Sequence, residues 1–332
     1  MKQILSQLFE QKKLTRTQSK EVLMNISKGI YNEAQVASFI TVYLMRPISE
    51  HELRGFADAL LELCIPVDLD GMNTIDLCGT GGDGKNTFNI STISSFVVAA
   101  AGYKVTKHGN YGVSSSCGSS DLLEALGYKF TNDVDKLKKQ LEVANICFLH
   151  APLFHPAMKF VGPIRRQLGV KTFFNMLGPL VNPSRPKNQM AGVFNNELAR
   201  LYAYYFQNLE DKRFSVVHAL DGYDEISLTG DVKIKMNGKD LILSAQDLGL
   251  NKTIPESIFG GHTKEDAATI FHNVIHGIGT QAQQETVYAN AGLAISTIDA
   301  RLSIQDGIQK AKETIQRGAA SRTFKKLIEI AA

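Results

Sequence analysis

Residues 79 to 86 read GTGGDGKN, with four glycines in eight positions. Gly79, Gly81 and Gly84 satisfy the G-x-G-x-x-G spacing of a dinucleotide loop, while Gly79, Gly84 and Lys85 satisfy the G-x-x-x-x-G-K opening of a P-loop. Both spacings serve one physical end, a bent backbone whose amides meet phosphate oxygens. The flanking residues fit neither specific ligand. A nicotinamide site wants a carboxylate at the end of the next strand, and Lys107 and His108 stand there instead. A P-loop wants Ser or Thr after its lysine to hold magnesium, and Asn86 takes that place. The loop also carries Asp83, a carboxylate that needs a cation, a hydroxyl or a metal beside it. Taken in isolation, such a stretch is also compatible with a plain flexible turn.

Three further groups follow. Thr87, Asn89, Ser91 and Thr92 place hydroxyl and amide groups at the start of an expected helix, where free N–H groups and the macrodipole favour phosphate. Ser91 could equally be a simple N-cap. KHGNYGVSSSCGSSD (107–121) supplies the cation Lys107, glycines for close backbone approach at 109, 112 and 118, and a run of serine donors. The bland alternative is a polar surface loop. DGYDEIS (221–227) brings the adjacent carboxylates Asp224 and Glu225. On a strand they would face opposite ways, whereas in a loop both can reach a magnesium ion riding on phosphate oxygens. A solvated acidic turn is the alternative. HNVIH puts His272 and His276 on one helical face, but Asn273 stands where a zinc protease has glutamate. That pair is read as a surface coincidence.

The elements that must position these groups fall into two textures. Residues 1 to about 65 carry apolar residues at three- and four-residue spacing and predict a bundle of short helices. Ser49 and Glu52 have the spacing of a capping box. PVDLDGMN (66–73) reads as a linker. NTIDLCG, the glycine loop, NISTISSFVVAAAGY and YKVTKHGN then form a strand–turn–helix–strand unit, which predicts a parallel sheet. Alternation continues through SSDLLEALGY, ANICFLHA, NNELARLYAYYFQNL and RFSVVHALDG, so an α/β domain with helices on both faces is expected. KTFFNMLGPLVNPSRP is expected to be a loop with a helical turn or two. VKIKMNGKDLILS opens an antiparallel insert, followed by C-terminal helices.

Composition narrows the function classes. The chain has 332 residues, 44% hydrophobic and 21% charged, an ordinary globular balance with room for two domains. A net charge of +3 gives no argument for nucleic acid or a membrane surface as partner. Four scattered cysteines without a CxxC fit a reducing compartment. The charged N-terminus is a poor signal peptide, and no apolar run reaches the ~18 residues of a membrane span. A cytoplasmic location is expected.

In this order, GTGGD, NIST, KHGN, GSSDLLEALG, HPAMK (155–159), RRQLGVKTFFNMLGPLVNP (165–183) and DGYDEIS resemble the anthranilate phosphoribosyltransferases, within the nucleoside-phosphorylase-like transferases. The resemblance runs nearly the whole chain. It implies transfer of the phosphoribosyl group of phosphoribosyl pyrophosphate (PRPP) to the amine of anthranilate in tryptophan biosynthesis, with magnesium, in a homodimer. It implies a small all-helical N-terminal domain packed on a larger α/β domain with a mainly parallel central sheet. The helical domain would span 1–66, joined by about 165–186, and the α/β domain 70–164 and 187–332. Carried over by motif, Gly79, Gly82, Asp83 and Thr87 would bind PRPP, with Asn89, Ile90, Ser91 and Thr92 at the helix start. Lys107, His108, Gly109, Asn110, Ser114, Ser115 and Ser119 would complete that site. Gly79, His108, Asn110 and Arg165 would line the anthranilate site, and Ser91, Asp224 and Glu225 would hold magnesium. Arg165 can fork onto a carboxylate, although surface exposure is the commoner fate of an Arg-Arg pair. His108 is either structural or catalytic, and no covalent nucleophile is expected. The chain departs from the family pattern after KHGN, where Arg-Ala and later Lys-Ser are usual. Here stand Tyr111-Gly112 and Ser116-Cys117. The phosphate-facing loop has lost a cation, so Tyr111 is given no phosphate role. Two alternatives share the scaffold. A pyrimidine nucleoside phosphorylase would not need paired carboxylates on magnesium, and a non-catalytic nucleic-acid-binding relative would show a basic face.

Overall fold

The computed structural model describes residues 1–112 and 117–331. These divide into two compact units, Met1–Val67 with Ala151–Arg185, and Asp68–His150 with Pro186–Ala332.

The first unit is helical. Its N-terminal part holds α1 (Lys2–Phe9), α2 (Arg16–Ser27), α3 (Glu33–Met45) and α4 (Glu50–Leu63). Capping boxes start three of them, Thr15 with Gln18, Asn32 with Gln35 and Ser49 with Glu52. Each box satisfies amides that a helix start leaves unpaired. Glu52 does more than cap. It is fully buried, accepts from Leu14 N at 3.0 Å and Tyr43 Oη at 3.2 Å, and pairs with Arg46. Burial pushes the Glu52 carboxyl up, but the hydrogen bonds from Arg46, Leu14 and Ser49 outweigh it and hold the group below its ordinary value. The second stretch of this unit starts at Ala151 with the short α8 (Ala151–Phe154), then α9 (Val161–Leu168) and two 3₁₀ turns, Phe173–Met176 and Gly178–Leu180. Phe173 stacks on Phe56 at 4.6 Å and meets Phe39 edge-on at 6.1 Å, so this stretch completes the aromatic core of the bundle.

The second unit is α/β, as the alternation of patterns predicts. In chain order it holds β1 (Thr74–Gly79), α5 (Ile90–Ala100), β2 (Lys104–Gly109), α6 (Ser119–Ala125), α7 (Val134–Val143) and β3 (Ile146–His150). After the excursion come β4 (Asn188–Gly192), α10 (Asn196–Gln207), β5 (Arg213–Ala219), β6 (Val232–Met236), β7 (Lys239–Leu243) and α11 (Lys264–Ile275). The chain ends in α12 (Gln281–Ile298), α13 (Ile304–Gln316) and α14 (Ala319–Ala331). The seven strands form one sheet in the order β3-β2-β1-β4-β5-β6-β7. The first five are parallel, and β6 and β7 are antiparallel. The segment read as an insert is therefore the sheet's own edge. β4 received no element from the sequence, because NQMAG is short and polar at one end, yet it is fully buried. It lies between β1 and β5, where the direction of strand addition reverses. Such a switch point opens a crevice at the carboxyl ends of the strands.

Helix α5 is apolar almost all round and buried over most of its length, packed against β1, β2, α12 and α14. That burial fixes its N-terminus above the end of β1. The helix begins at Ile90 with Asn89 as N-cap, so Ser91 is not the cap but the second helical residue.

Candidate active site

The carboxyl end of β1 is built for close approach. Gly79 pairs with Gly192 across the switch point. A Cβ on Gly79 would lie 2.5 Å from Asp224 Oδ2, and one on Gly192 would lie 1.6 Å from the Asp224 carbonyl oxygen. Only glycines at both strand ends let the loop after β5 come down onto them. Next along the chain, Gly81, Gly82 and Gly84 take φ of 60°, 80° and 75°. For Gly81 and Gly84 a Cβ would meet nothing within 4 Å, so conformation rather than space requires glycine there.

This loop is stitched to three other segments. Gly81 N donates to Asp224 Oδ2 at 2.8 Å, and Ser91 N donates to Glu225 Oε1 at 3.0 Å. Asp224 and Glu225 sit in the loop after β5, so both carboxylates reach the same site, as a loop permits and a strand would not. Residues 86–88 run against 258–260. Phe88 N donates to Ile258 O, Gly260 N to Asn86 O, and Thr87 forms an antiparallel bridge with Phe259 that anchors it. Asn89 turns away from capping and donates Nδ2 to Cys117 O at 3.0 Å. Ile90 lies in the core with its N–H on Phe88 O, and Thr92 is also buried.

The second cluster closes the other side. Lys107, on β2, is 2% exposed, and its ammonium donates to Leu77 O and to Ser91 Oγ at 3.4 Å. His108 is similarly buried, and its backbone N–H donates to Asp76 Oδ1 at 3.0 Å. Gly109 faces Ser119 Oγ, which donates to Asn110 O at 3.3 Å. Asp121 accepts from Gly112 N and Gly118 N. Ser114 and Ser115 themselves lie outside the described residues. Tyr111 turns to α6, where its hydroxyl donates to Glu124 Oε1 at 2.7 Å. Arg165 belongs to the helical unit and is not a plain surface residue. It is partly buried on α9, donates to Asn175 Oδ1 at 3.1 Å and lies over the Phe174 ring, and burial lowers its pKa.

Electrostatics set the chemistry. Asp83, Asp224 and Glu225 crowd together against the buried ammonium of Lys107. Burial, then the charge of Asp83, pushes the Asp224 carboxyl up to about 7. Burial and the charge of Asp224 also push Glu225 well above its ordinary value. Glu225 Oε2 is buried and has no hydrogen-bond partner among the described residues. Two hard oxygen donors short of positive charge, one of them orphaned, fit a divalent cation such as magnesium. Among the described residues no group of three or more His, Cys, Asp or Glu side chains could hold a metal, so such a cation would need oxygens from a bound phosphate. His276 Nδ1 is 2.7 Å from His272 O, in a backbone hydrogen bond within its own helix.

The sequence did not single out Gly192, Asn86 as an anchor, or the segment 258–261. A glycine ending a short buried run was the one available signal for Gly192.

Two family models match the chain. The glycosyl transferase family helical bundle domain covers residues 2–64, and the glycosyl transferase family a/b domain covers 71–321. Among curated proteins, the chain is 56% identical over 327 residues to an anthranilate phosphoribosyltransferase of Christiangramia forsetii, covering 98% of each. It is also 56% identical over 330 residues to that of Flavobacterium psychrophilum, covering 99% of each. Among solved structures, the anthranilate phosphoribosyltransferase of Thermus thermophilus superposes with a TM-score of 0.92 at 31% identity, over 98% of each chain. The Saccharomyces cerevisiae enzyme in complex with PRPP and Mg gives 0.90 at 27% identity, over 98% of this chain and 96% of that one.

Proposed function

The chain belongs to the anthranilate phosphoribosyltransferase family, and from that premise we infer how its residues divide the work. The reaction moves the phosphoribosyl group of PRPP onto the amine of anthranilate, giving N-(5-phosphoribosyl)anthranilate and pyrophosphate, in tryptophan biosynthesis. The observation that carries the site assignment is the delivery of Asp224 and Glu225 to the glycine loop and the start of α5.

The ribose C1 gains oxocarbenium character as pyrophosphate departs. Negative charge therefore grows on the leaving group, and preorganised positive charge is the chief means of catalysis. Lys107, fixed by Leu77 O and Ser91 Oγ, contributes a cation that needs no reorganisation. The glycines keep side chains out of the way where a phosphate would approach the loop. In this reading Ser91, Asp224 and Glu225 would hold magnesium, which would supply positive charge to the leaving pyrophosphate. Gly79, Gly82, Asp83, Thr87, Asn89, Ile90, Ser91, Thr92, Lys107, His108, Gly109, Asn110, Ser114, Ser115 and Ser119 bind PRPP, Ile90 through its backbone alone. Gly79, His108, Asn110 and Arg165 serve anthranilate, Arg165 as the partner for the carboxylate. The neutral amine is already nucleophilic, so positioning outweighs base catalysis. No helix among the described residues is long and apolar enough to cross a membrane, and a cytoplasmic homodimer completes the reading.

The test follows anthranilate fluorescence with purified protein, PRPP and magnesium. Loss of signal should require both additions and should vanish in the Asp224→Asn, Glu225→Gln double variant. A flat trace from folded wild-type protein would refute the reading.

A further inference from the structure

One motif in the site remains without a role: Lys85, the lysine of the broken P-loop pattern. Its backbone N–H donates to Asp83 Oδ1 at 3.0 Å. Its side chain folds back over the loop that carries the carboxylates. Nζ lies 4.7 Å from the centre of the Tyr223 ring, and Cε lies 4.0 Å from where a Cβ on Gly222 would be. Tyr223 is buried and immediately precedes Asp224. The ammonium is therefore held by a cation–π contact on the residue next to Asp224. Among the described residues it makes no hydrogen bond and no ion pair.

The charges around it are out of balance. Asp83, Asp224 and Glu225 are opposed by Lys107, whose ammonium is already committed to Leu77 O and Ser91 Oγ. PRPP adds a pyrophosphate and a 5-phosphate to that site. Tyr111 on the facing loop is neutral and occupied with Glu124. We propose that Lys85 is a substrate-binding residue whose ammonium swings from the Tyr223 ring to the pyrophosphate oxygens of PRPP, supplying the cation that Tyr111 does not. A face-on aromatic contact suits this task. It keeps the ammonium near the site without engaging a carboxylate that the phosphate would have to displace. The proposal deepens the phosphoribosyl-transfer reading and rests on it.

Two measurements test it on the full-length protein: steady-state kinetics at saturating anthranilate and magnesium, and calorimetric binding of magnesium pyrophosphate. Lys85→Met and Lys85→Gln should raise KM for PRPP and Kd for pyrophosphate about tenfold or more, the usual cost of one charge-assisted contact. KM for anthranilate should stay within about twofold, and Lys85→Arg should recover most of the loss. Unchanged PRPP KM and pyrophosphate Kd in variants with wild-type melting temperature would overturn the proposal. A wild-type protein that binds pyrophosphate but does not consume anthranilate would sink the transfer reading instead. The Lys85 variants would then still decide the proposal through pyrophosphate affinity alone.

Discussion

At the scale of single residues, the site stores unfavourable charge. Asp224 binds its proton up to about pH 7, whereas an unfolded chain releases it at about pH 4. Between those values the folded state holds more protons, so raising the pH across this window lowers stability. Above it the penalty is fully present, and below it the group costs nothing. Removing the charge should therefore help the fold and harm the function. Asp224→Asn should raise the melting temperature of metal-free protein at pH 8, with little effect at pH 4. It should also cut kcat/KM by roughly two to three orders of magnitude, as loss of a charge-stabilising group does. Added magnesium and pyrophosphate should stabilise wild type more at pH 8 than at pH 5, and should stabilise the variant less than wild type at pH 8. Thermal melts across pH check the stability effects and kinetics the activity loss, and a variant that melts lower at pH 8 would contradict the charge account.

At the scale of elements, the site depends on backbones approaching more closely than a methyl group allows. β1 and β4 both end in glycine, and the Asp224 carbonyl occupies the space where a Gly192 Cβ would be. Gly192→Ala must push the loop after β5 away from the glycine loop, breaking the hydrogen bonds of Gly81 and Ser91 to the two carboxylates. The expected result is a soluble, folded protein with kcat/KM reduced at least about a hundredfold. Gly84→Ala strains φ without a clash and should cost less, on the order of 1 kcal/mol of stability. Circular dichroism and kinetics on the two variants separate clash from strain. Equal losses would remove the argument for close approach. The N-terminal helices rest on a different device, the buried Glu52, whose partners come from the end of α3, the α4 cap and the turn at Leu14.

At the scale of the whole molecule, the helical unit exposes apolar side chains that a monomer gains nothing by showing. Phe9 is 63% exposed and Met45 81%, beside a hollow of about 550 Å³ lined by Leu8, Ala37 and Val42. A second copy of the chain is the proposed cover. Light scattering after size exclusion should give twice the 36.5 kDa chain mass. Phe9→Glu with Met45→Glu should halve it while leaving the α/β unit folded. A wild-type monomer at micromolar concentration would end the dimer proposal.

The sequence by itself determined the two textures and most of the helices and strands, because periodicity and caps are local signals. It also picked out three clusters by residue type and order, since glycines, a lysine and paired carboxylates have the chemistry that a phosphate site needs. It misread Ser91 as a possible cap, because the last residue before a buried helix is set by where that helix packs. It missed β4, since a strand paired on both sides needs no apolar alternation to be stable. Only the tertiary structure decided that the clusters meet. Gly81 and Asp224 are far apart in the chain, and their hydrogen bond exists because β4 inserts beside β1 and turns the switch point into a crevice. Tertiary structure alone also decided that Gly192 matters and that Lys85 rests on Tyr223. Both are contacts between segments distant in the chain, and no local pattern encodes them.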